Sequence, residues 1–251
     1  MSTRFISIII PTLNEASNLP AAVESCNDPH VREVIVVDGG STDGTPAIGA
    51  AAQVRVLEGP PCRASQMNLG AEGARGSVLL FLHADCRLPD GFGREVARVL
   101  DIPGTAGGAF GLRIDSAGVL FRLIEKAVDG RSRWLGLPYG DQALFLEHDL
   151  FQRLGRYAQL PILEDLELVR RLHGYGAVRT AHMNVLTSSR RWRSTGPVRL
   201  TLIHQLVLWA YFSGVDPSRI ATWYQRRTRR SISGSEKSRR GVETFGHPPA
   251  S

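Results

Sequence analysis

Three cysteines in 251 residues, Cys26, Cys62 and Cys86, are too few and too widely spaced for a disulfide framework, and no CxxC pair or thiolate metal spacing occurs. They read as reduced, small apolar side chains of a cytoplasmic protein. No charged segment, apolar core and small-residue cleavage site stands before the strand-like FISIII, so no secretory leader is expected. The longest uncharged apolar run, 200–215, is broken by Thr201, His204 and Gln205 and falls short of the roughly 18–20 apolar residues of a spanning helix. His30, His148, His173, His182, His204 and His247 form no metal-ligand spacing. Repeats are absent, and no Pro/Gly/Ser linker occurs before about residue 231, which favours one composite domain. A hydrophobic share of 43% and a charged share of 22% exclude a disordered or fibrous class for the bulk of the chain.

Charge of one sign is also scarce outside one segment. The formal net charge is +6, and residues 226–240 hold seven basic side chains against one acid, Glu236. The rest carries 23 basic and 23 acidic groups, so the body has no global field to attract nucleic acid. Residues 231–251 lack apolar periodicity and read as a disordered tail, with the basic segment 226–251 set apart from a folded domain 1–225.

What is present is a rhythm. Short Ile/Val/Leu runs at 5–10, 33–37, 53–57 and 78–82 read as buried strands. Helical stretches alternate with them: one capped by Asn18 with Leu19 and Pro20 in its first turn, then 45–52 and 64–74. Strand alternating with helix implies crossover units and a mostly parallel sheet covered on both faces, an α/β layer structure. Beyond residue 100 the order loosens, with strands expected at 107–114, 142–146 and 178–186 and helices at 117–128 and 164–172. The two halves, 1–100 and 101–225, differ in rhythm and are not separated by a linker.

In such a sheet, ligands bind beyond the carboxyl ends of the strands. Three polar clusters fall there: Pro11-Thr12-Leu13-Asn14-Glu15, Asp38 to Thr45, and His83-Ala84-Asp85. Each alone is an ordinary turn; three at corresponding ends point to a shared site. The ordered set of PTLNE, VVDGGSTDGT, FLHAD and PILEDLELVRRL resembles family 2 glycosyltransferases with the GT-A, Rossmann-type fold, over about residues 5–215. LHAD, RASQMNLGA and YGDQALF are most similar to the bacterial subgroup termed arsenosugar-biosynthesis-type glycosyltransferases.

The resemblance implies a transferase, most simply a hexosyltransferase, that moves a sugar from a nucleoside diphosphate, with a UDP-sugar favoured and a GDP-sugar open. It places the nucleotide-sugar site in 1–100 and the acceptor and catalytic site in 101–225. A carboxylate-held Mg²⁺ or Mn²⁺ would offset the charge of the leaving diphosphate, and Asp85 is the implied ligand. The family's Asp-x-Asp has His83 at its first position here. Pro11, Thr12, Glu15 and Asp38 are implied to hold the nucleoside, with Asp38 on the uracil. Arg63 and Asn68 lie where relatives contact the nucleotide, and Arg suits a diphosphate through its forked donors. Asp43 reads as a turn acid. Of Glu164 and Asp165, the second is implied to be the general base of an inverting transfer, with Asp141 on the acceptor side; a helix N-terminus by itself also favours such acids.

Ser189-Arg190-Arg191-Trp192 resembles the end of QxxRW in processive relatives, with Ser188 in place of Gln. Arg190 or Arg191 could meet the diphosphate, and Trp192 could stack on the acceptor. The apolar helix expected over 200–214 and the basic helix over 216–230, with Ile220, Trp223 and Tyr224 on one face, fit either a packed core or peripheral contact with the inner face of an anionic membrane and a lipid-linked acceptor. Two other classes share parts of the pattern. A nucleotidyltransferase would need a Gly-rich, Arg-containing loop after Ile10, which is missing; a non-catalytic nucleotide-sugar-binding protein would tolerate His83 and the incomplete RW motif.

Overall fold

β1 (Ile6–Thr12) is buried at every residue, as a strand covered on both faces must be. In this computed structural model, which describes residues 4–229, it lies inside an eight-stranded sheet of order β3-β2-β1-β4-β7-β6-β8-β5. β1 pairs in parallel with β2 (Val31–Asp38) and β4 (Val78–Phe81), and β2 with β3 (Arg55–Glu58). β7 (Phe145–Glu147) runs antiparallel to both β4 and β6 (Thr105–Asp115). β8 (Ala177–Ser188) is parallel to β6, and the two-residue β5 (Cys86–Arg87) is antiparallel to β8. Six strands therefore share one direction, and β5 and β7 oppose it.

Period-two alternation decides which helix each strand residue meets. Val37 and Ile9 press on α3 (Arg63–Glu72), so closely that a Cβ at Gly70 would lie 2.6 Å from Ile9. Val36, one residue earlier, faces α2 (Thr45–Ala51) on the other side. One core cluster joins Ile9, Val37 and Phe81 to Phe151 of α6 (His148–Arg153) and Leu168 of α7 (Glu164–Leu172). Each such fully buried side chain contributes about 1.5–3 kcal/mol relative to an exposed one. α1 (Leu19–Glu24), α4 (Phe92–Leu100) and α5 (Val119–Leu135) complete the coverage.

The helix expected at 164–172 has those bounds. Two differences have local causes. The strand expected at 142–146 begins only at Phe145, because Gln142 lies in the 3₁₀ turn Gly140–Gln142, its buried amide bonded to Phe110 O, Ser132 and Tyr139 N. α5 runs past Gly130 to Leu135, its last turns tied to that same segment by Arg131 and Ser132.

The chain divides into two compact units, Met1–Ser188 and Ser189–Ser251, where the sequence suggests one composite domain. Residue 100 is no boundary, since β6, β7 and β8 extend the sheet begun by β1 to β4. Among the described residues the second unit holds α8 (Arg190–Thr195), α9 (Pro197–Phe212) and α10 (Pro217–Arg229). The boundary expected at 225/226 falls inside α10, and the remainder of the expected tail, 230–251, lies outside the described residues.

Candidate functional site

The parallel strands deliver their following loops to one end of the sheet, and the reversed β7 brings the loop before it to that same end. Loops 13–18, 39–44 and 82–85 thus meet 139–144 beyond β1, β2 and β4.

The first two loops brace each other. Asn14, with φ 55°, accepts from Thr42 N at 2.9 Å and donates its own N–H to Ser41 Oγ at 2.8 Å. Asp43 accepts from Ala16 N at 3.0 Å and from Thr45, so it is the turn acid the sequence suggests; these donors, Thr45 foremost, lower its pKa. Glu15 accepts from the Asn18 amide at 2.6 Å, which fixes the start of α1. Pro11 and Thr12 end β1 in buried positions.

The resemblance places Asp38 on the uracil, and in the structure its carboxylate is engaged by its own loop. Its carboxylate, 3% exposed, receives Thr12 Oγ1 at 3.1 Å, Gly40 N at 2.9 Å, and Ser41 N and Oγ at 2.8 and 2.5 Å. Burial would raise its pKa, but the Ser41, Gly40 and Thr12 donors outweigh burial and hold it below the ordinary carboxylate value. With four acceptor positions engaged internally, Asp38 shapes the loop. Its neighbour Gly39 leaves room for Gln66, whose Nε2 donates to Thr12 O at 2.8 Å and would lie 2.5 Å from a Cβ at residue 39.

Asn68 is also committed elsewhere. Its amide donates to Tyr157 O at 2.9 Å and accepts from Tyr157 N at 3.0 Å, pinning α3 to the segment before α7 and leaving one N–H and one lone pair beyond these bonds.

After β4, His83, Ala84 and Asp85 form a turn closed by Cys86 N on His83 O at 3.0 Å. β5 then pairs with β8, and Ser188 N donates to Asp85 O at 2.9 Å, so the acid is carried on pinned backbone. Cys86 is buried beneath, its thiol 3.7 Å from both Asp85 Oδ1 and Asp141 O and 3.4 Å from Thr187 Oγ1. Burial first, and then the Asp85 charge, push this thiol's pKa well up, so it stays a neutral packing group.

The acid pair opens α7, preceded by Leu163 at φ 67°, a left-handed conformation that costs a branched side chain about 1–3 kcal/mol and clusters at functional sites. Glu164, 1% exposed, is the ion-pair partner of Arg63 Nε. Burial would lower the Arg63 pKa, but Glu164 and then Asp165 raise it, and 37% of the Arg63 side chain remains exposed. Glu164 is therefore engaged as a counter-ion.

Asp165 is 7% exposed, and its Oδ1 has no hydrogen-bond partner among the described residues. Burial, then the Glu164 charge, push its pKa up to about 7, with Asp141 adding to them and Arg63 and the Tyr157 hydroxyl opposing. A carboxylate tuned near neutral pH is suited to accept a proton. Tyr157, packed against Phe81 and Phe151, carries no motif signal and is invisible to sequence reasoning.

Gly140 of YGDQ is the other unassigned contributor. A Cβ there would lie 2.1 Å from Asp165 Oδ2 and 2.5 Å from its Cγ, so only glycine lets the carboxylate occupy this place. Gly140→Ala is expected to lower kcat/KM about 100-fold by displacing the Asp165 carboxylate, with thermal stability near wild type. Steady-state kinetics beside a melting curve would check this, and activity within threefold of wild type would refute the placement.

In the first unit Asp85 and Asp141 act on the buried Cys86, and Asp141, Glu164 and Arg63 act on Asp165, so four acids and one guanidinium are linked through shared neighbours. No group of three or more His, Cys, Asp or Glu side chains forms a closed metal cage among the described residues. The oxygen donors at Asp85 and Asp141 suit Mg²⁺ or Mn²⁺, which bind through one or two carboxylates and take their remaining oxygens from phosphate and water. In the second unit, Trp192 is 8% exposed and meets His204 edge-on at 5.8 Å, so its ring is packed rather than offered to an acceptor. Arg190 and Arg191 are exposed in the first turn of α8.

Known proteins share these features. The family described as "Glycosyl transferase family 2" matches residues 7–151. A PGL/p-HBAD biosynthesis glycosyltransferase of Mycobacterium tuberculosis is 30% identical over 75% of this chain and 77% of its own. Glycosyltransferase AglE of Haloferax volcanii is 36% identical, but the match spans 33% of this chain and only 31% of that protein. Glucosyl-3-phosphoglycerate synthase from Mycobacterium tuberculosis, solved with Mn²⁺, UDP and glucosyl-3-phosphoglycerate, superposes with a TM-score of 0.54 at 21% identity, over 73% of this chain and 71% of that one. That likeness is one of fold, the GT-A arrangement of a mostly parallel sheet between helices. The arsenosugar-type subgroup has no support in these matches, and the nucleotidyltransferase reading has none either. With the family match spanning more than half the sequence and its motifs assembled at one end of the sheet, the chain belongs to glycosyl transferase family 2 and is a glycosyltransferase.

Proposed function

We propose that the chain transfers a sugar from a nucleoside diphosphate, first of all a UDP-sugar, to a hydroxyl acceptor with inversion at the anomeric carbon. The observation that carries this reading is Asp165, a buried carboxylate with a raised pKa and an oxygen that no described residue bonds. The acceptor O–H gives its proton to Asp165 as its oxygen bonds to the anomeric carbon. The bond from that carbon to the diphosphate breaks on the opposite face, which inverts the centre. Asp85, with Asp141 beside it, would hold a divalent cation, which when bound supplies Lewis-acid stabilisation of the leaving diphosphate. Arg63, held by Glu164, presents the remainder of its guanidinium to the same diphosphate. That the synthase above was solved with UDP and Mn²⁺ supports the choice of donor and metal.

A thermal-shift panel of UDP, GDP and their sugars, each with and without Mn²⁺, tests the reading. At ligand near 100 times Kd, linkage adds about 2.7 kcal/mol, a rise of roughly 5–10 °C for a chain of this size. The UDP series with Mn²⁺ is expected to give it. A larger shift with the GDP series would reassign the donor, and no shift with any nucleoside diphosphate would overturn the reading. NMR of the product then reads the anomeric configuration.

A further inference from the structure

The distribution of charge follows the two units more closely than it follows the tail. Residues 189–251 hold 12 basic and 3 acidic side chains, and residues 1–188 hold 18 and 21. The excess begins at Arg190: residues 189–229 alone carry eight arginines against one acid, Asp216.

The second unit also presents apolar surface. Val198, Leu202, Leu206, Trp209 and Phe212 of α9 are all exposed, Trp209 by 71%. Their spacing of four, four, three and three places them in one stripe along the helix. Leu200, Ile203 and Val207, on the opposite side, are buried. α9 therefore leaves one apolar face uncovered, with Gln205 as its polar interruption, a pattern that marks an interaction site rather than a monomer's ordinary surface. The sequence directs attention instead to Ile220, Trp223 and Tyr224 of α10, of which Trp223 is half-buried with Arg227 over its ring at 5.7 Å. Ile220 is buried, and Tyr224 stacks on His204 at a centroid distance of 6.1 Å, so α10 turns its apolar side inward. It leaves Arg219, Arg226 and Arg227 exposed. Arg199 stands beside the α9 stripe and donates to Arg227 O at 3.2 Å, and the chain runs on past Arg229 with four more basic residues.

We infer that the second unit is a docking surface for an anionic lipid bilayer, in which the α9 stripe enters the acyl boundary and the arginines of α10 and the following segment meet the head groups. Charge complementarity selects this occupant. A second copy of the chain would bring the same positive field against itself, whereas a phosphate-bearing bilayer offers both the apolar layer and the opposite charge. Trp209 suits the boundary, where an indole has one apolar and one polar side. At 16 residues α9 is about 24 Å long, short of the roughly 30 Å hydrocarbon core, so it lies in the surface; no helix among the described residues is long and apolar enough to cross. Docking of this kind would bring the enzyme to a lipid-linked acceptor, yet the inference does not depend on the transfer chemistry.

Co-sedimentation of the full chain with vesicles tests it. Binding is expected to phosphatidylcholine/phosphatidylglycerol vesicles and not to phosphatidylcholine alone, and to weaken with salt. Arg226→Ala/Arg227→Ala should lower the partition coefficient on the order of 30-fold, as two lost basic groups imply, and Leu206→Glu or Trp209→Glu at least about tenfold. Leu123→Glu, on the exposed face of α5 in the first unit, should leave binding unchanged, and unfolding midpoints of all variants should stay near wild type. No binding by wild type, equal binding to neutral vesicles, or an equal loss in Leu123→Glu would each overturn the inference. So would a dimer in light scattering that Trp209→Glu dissolves while wild type ignores vesicles, which would assign the stripe to a second copy.

Discussion

Asp165→Asn is expected to lower kcat/KM about a thousandfold, within the usual range for a general base, while the donor-induced thermal shift stays within error of wild type. In the wild type, kcat/KM should rise with pH and level off above an inflection near 7, the value to which burial and the neighbouring Glu164 push this carboxylate. The residual rate of the Asn variant should lose that inflection. Stability moves the other way. A carboxyl group whose folded pKa lies above its unfolded value binds more protons when folded, so its contribution declines as pH rises from about 4 to about 7 and stays low beyond. Asn carries no such charge, so the variant should melt higher than wild type at pH 8 and lose that advantage toward pH 4. An inactive variant that also melts lower at pH 8 would show that Asp165 is structural; an active one would remove it from the chemistry.

Asp85→Asn is expected to abolish the stimulation by Mn²⁺ and to lower kcat/KM about 100- to 1000-fold, since Lewis-acid stabilisation of a leaving diphosphate is worth several kcal/mol. The fold should persist, because the loop is held by Asp85 O and Ser188 N rather than by the carboxylate. Titrating Mn²⁺ and Mg²⁺ against both proteins gives the result: wild type should show a saturating metal dependence and the variant only a weak one. Equal dependence in the two would move the metal away from Asp85, and Asp141 would be the next group to change.

The layer structure was legible because it rests on local pattern. Apolar runs bounded by Pro, Gly and Asp mark β1, β2 and β4, and the apolar spacing of 166, 168, 169 and 172 marks α7, whose bounds the periodicity predicts. The helix α4 carried a usable signal as well, Phe92, Val96, Val99 and Leu100 at helical spacing, with all four buried. β5 had none, since two residues cannot show a period and only the edge of β8 makes Cys86–Arg87 a strand. Among site residues, Asp85, Glu164 and Asp165 are found where their motifs put them. Asp38, Asn68 and Trp192 lie in the expected segments, but their polar atoms or rings are engaged by Ser41, by the Tyr157 backbone and by His204.

The sequence alone determined the α/β alternation, the loops that carry the acids, and the family, because strand and helix periods and short motifs are encoded among near neighbours. The tertiary structure decided which of those acids has a raised pKa. Asp165 owes its raised pKa to burial, Glu164 and Asp141, against the opposing Arg63 and Tyr157, and its position to the missing side chain at Gly140, and most of these groups lie apart from it along the chain. It also decided the meaning of the basic excess. α10 turns its apolar side inward and α9 leaves an apolar stripe outward, a choice made by packing, because a helix with apolar residues on opposite sides does not state in its own sequence which face its neighbours will cover.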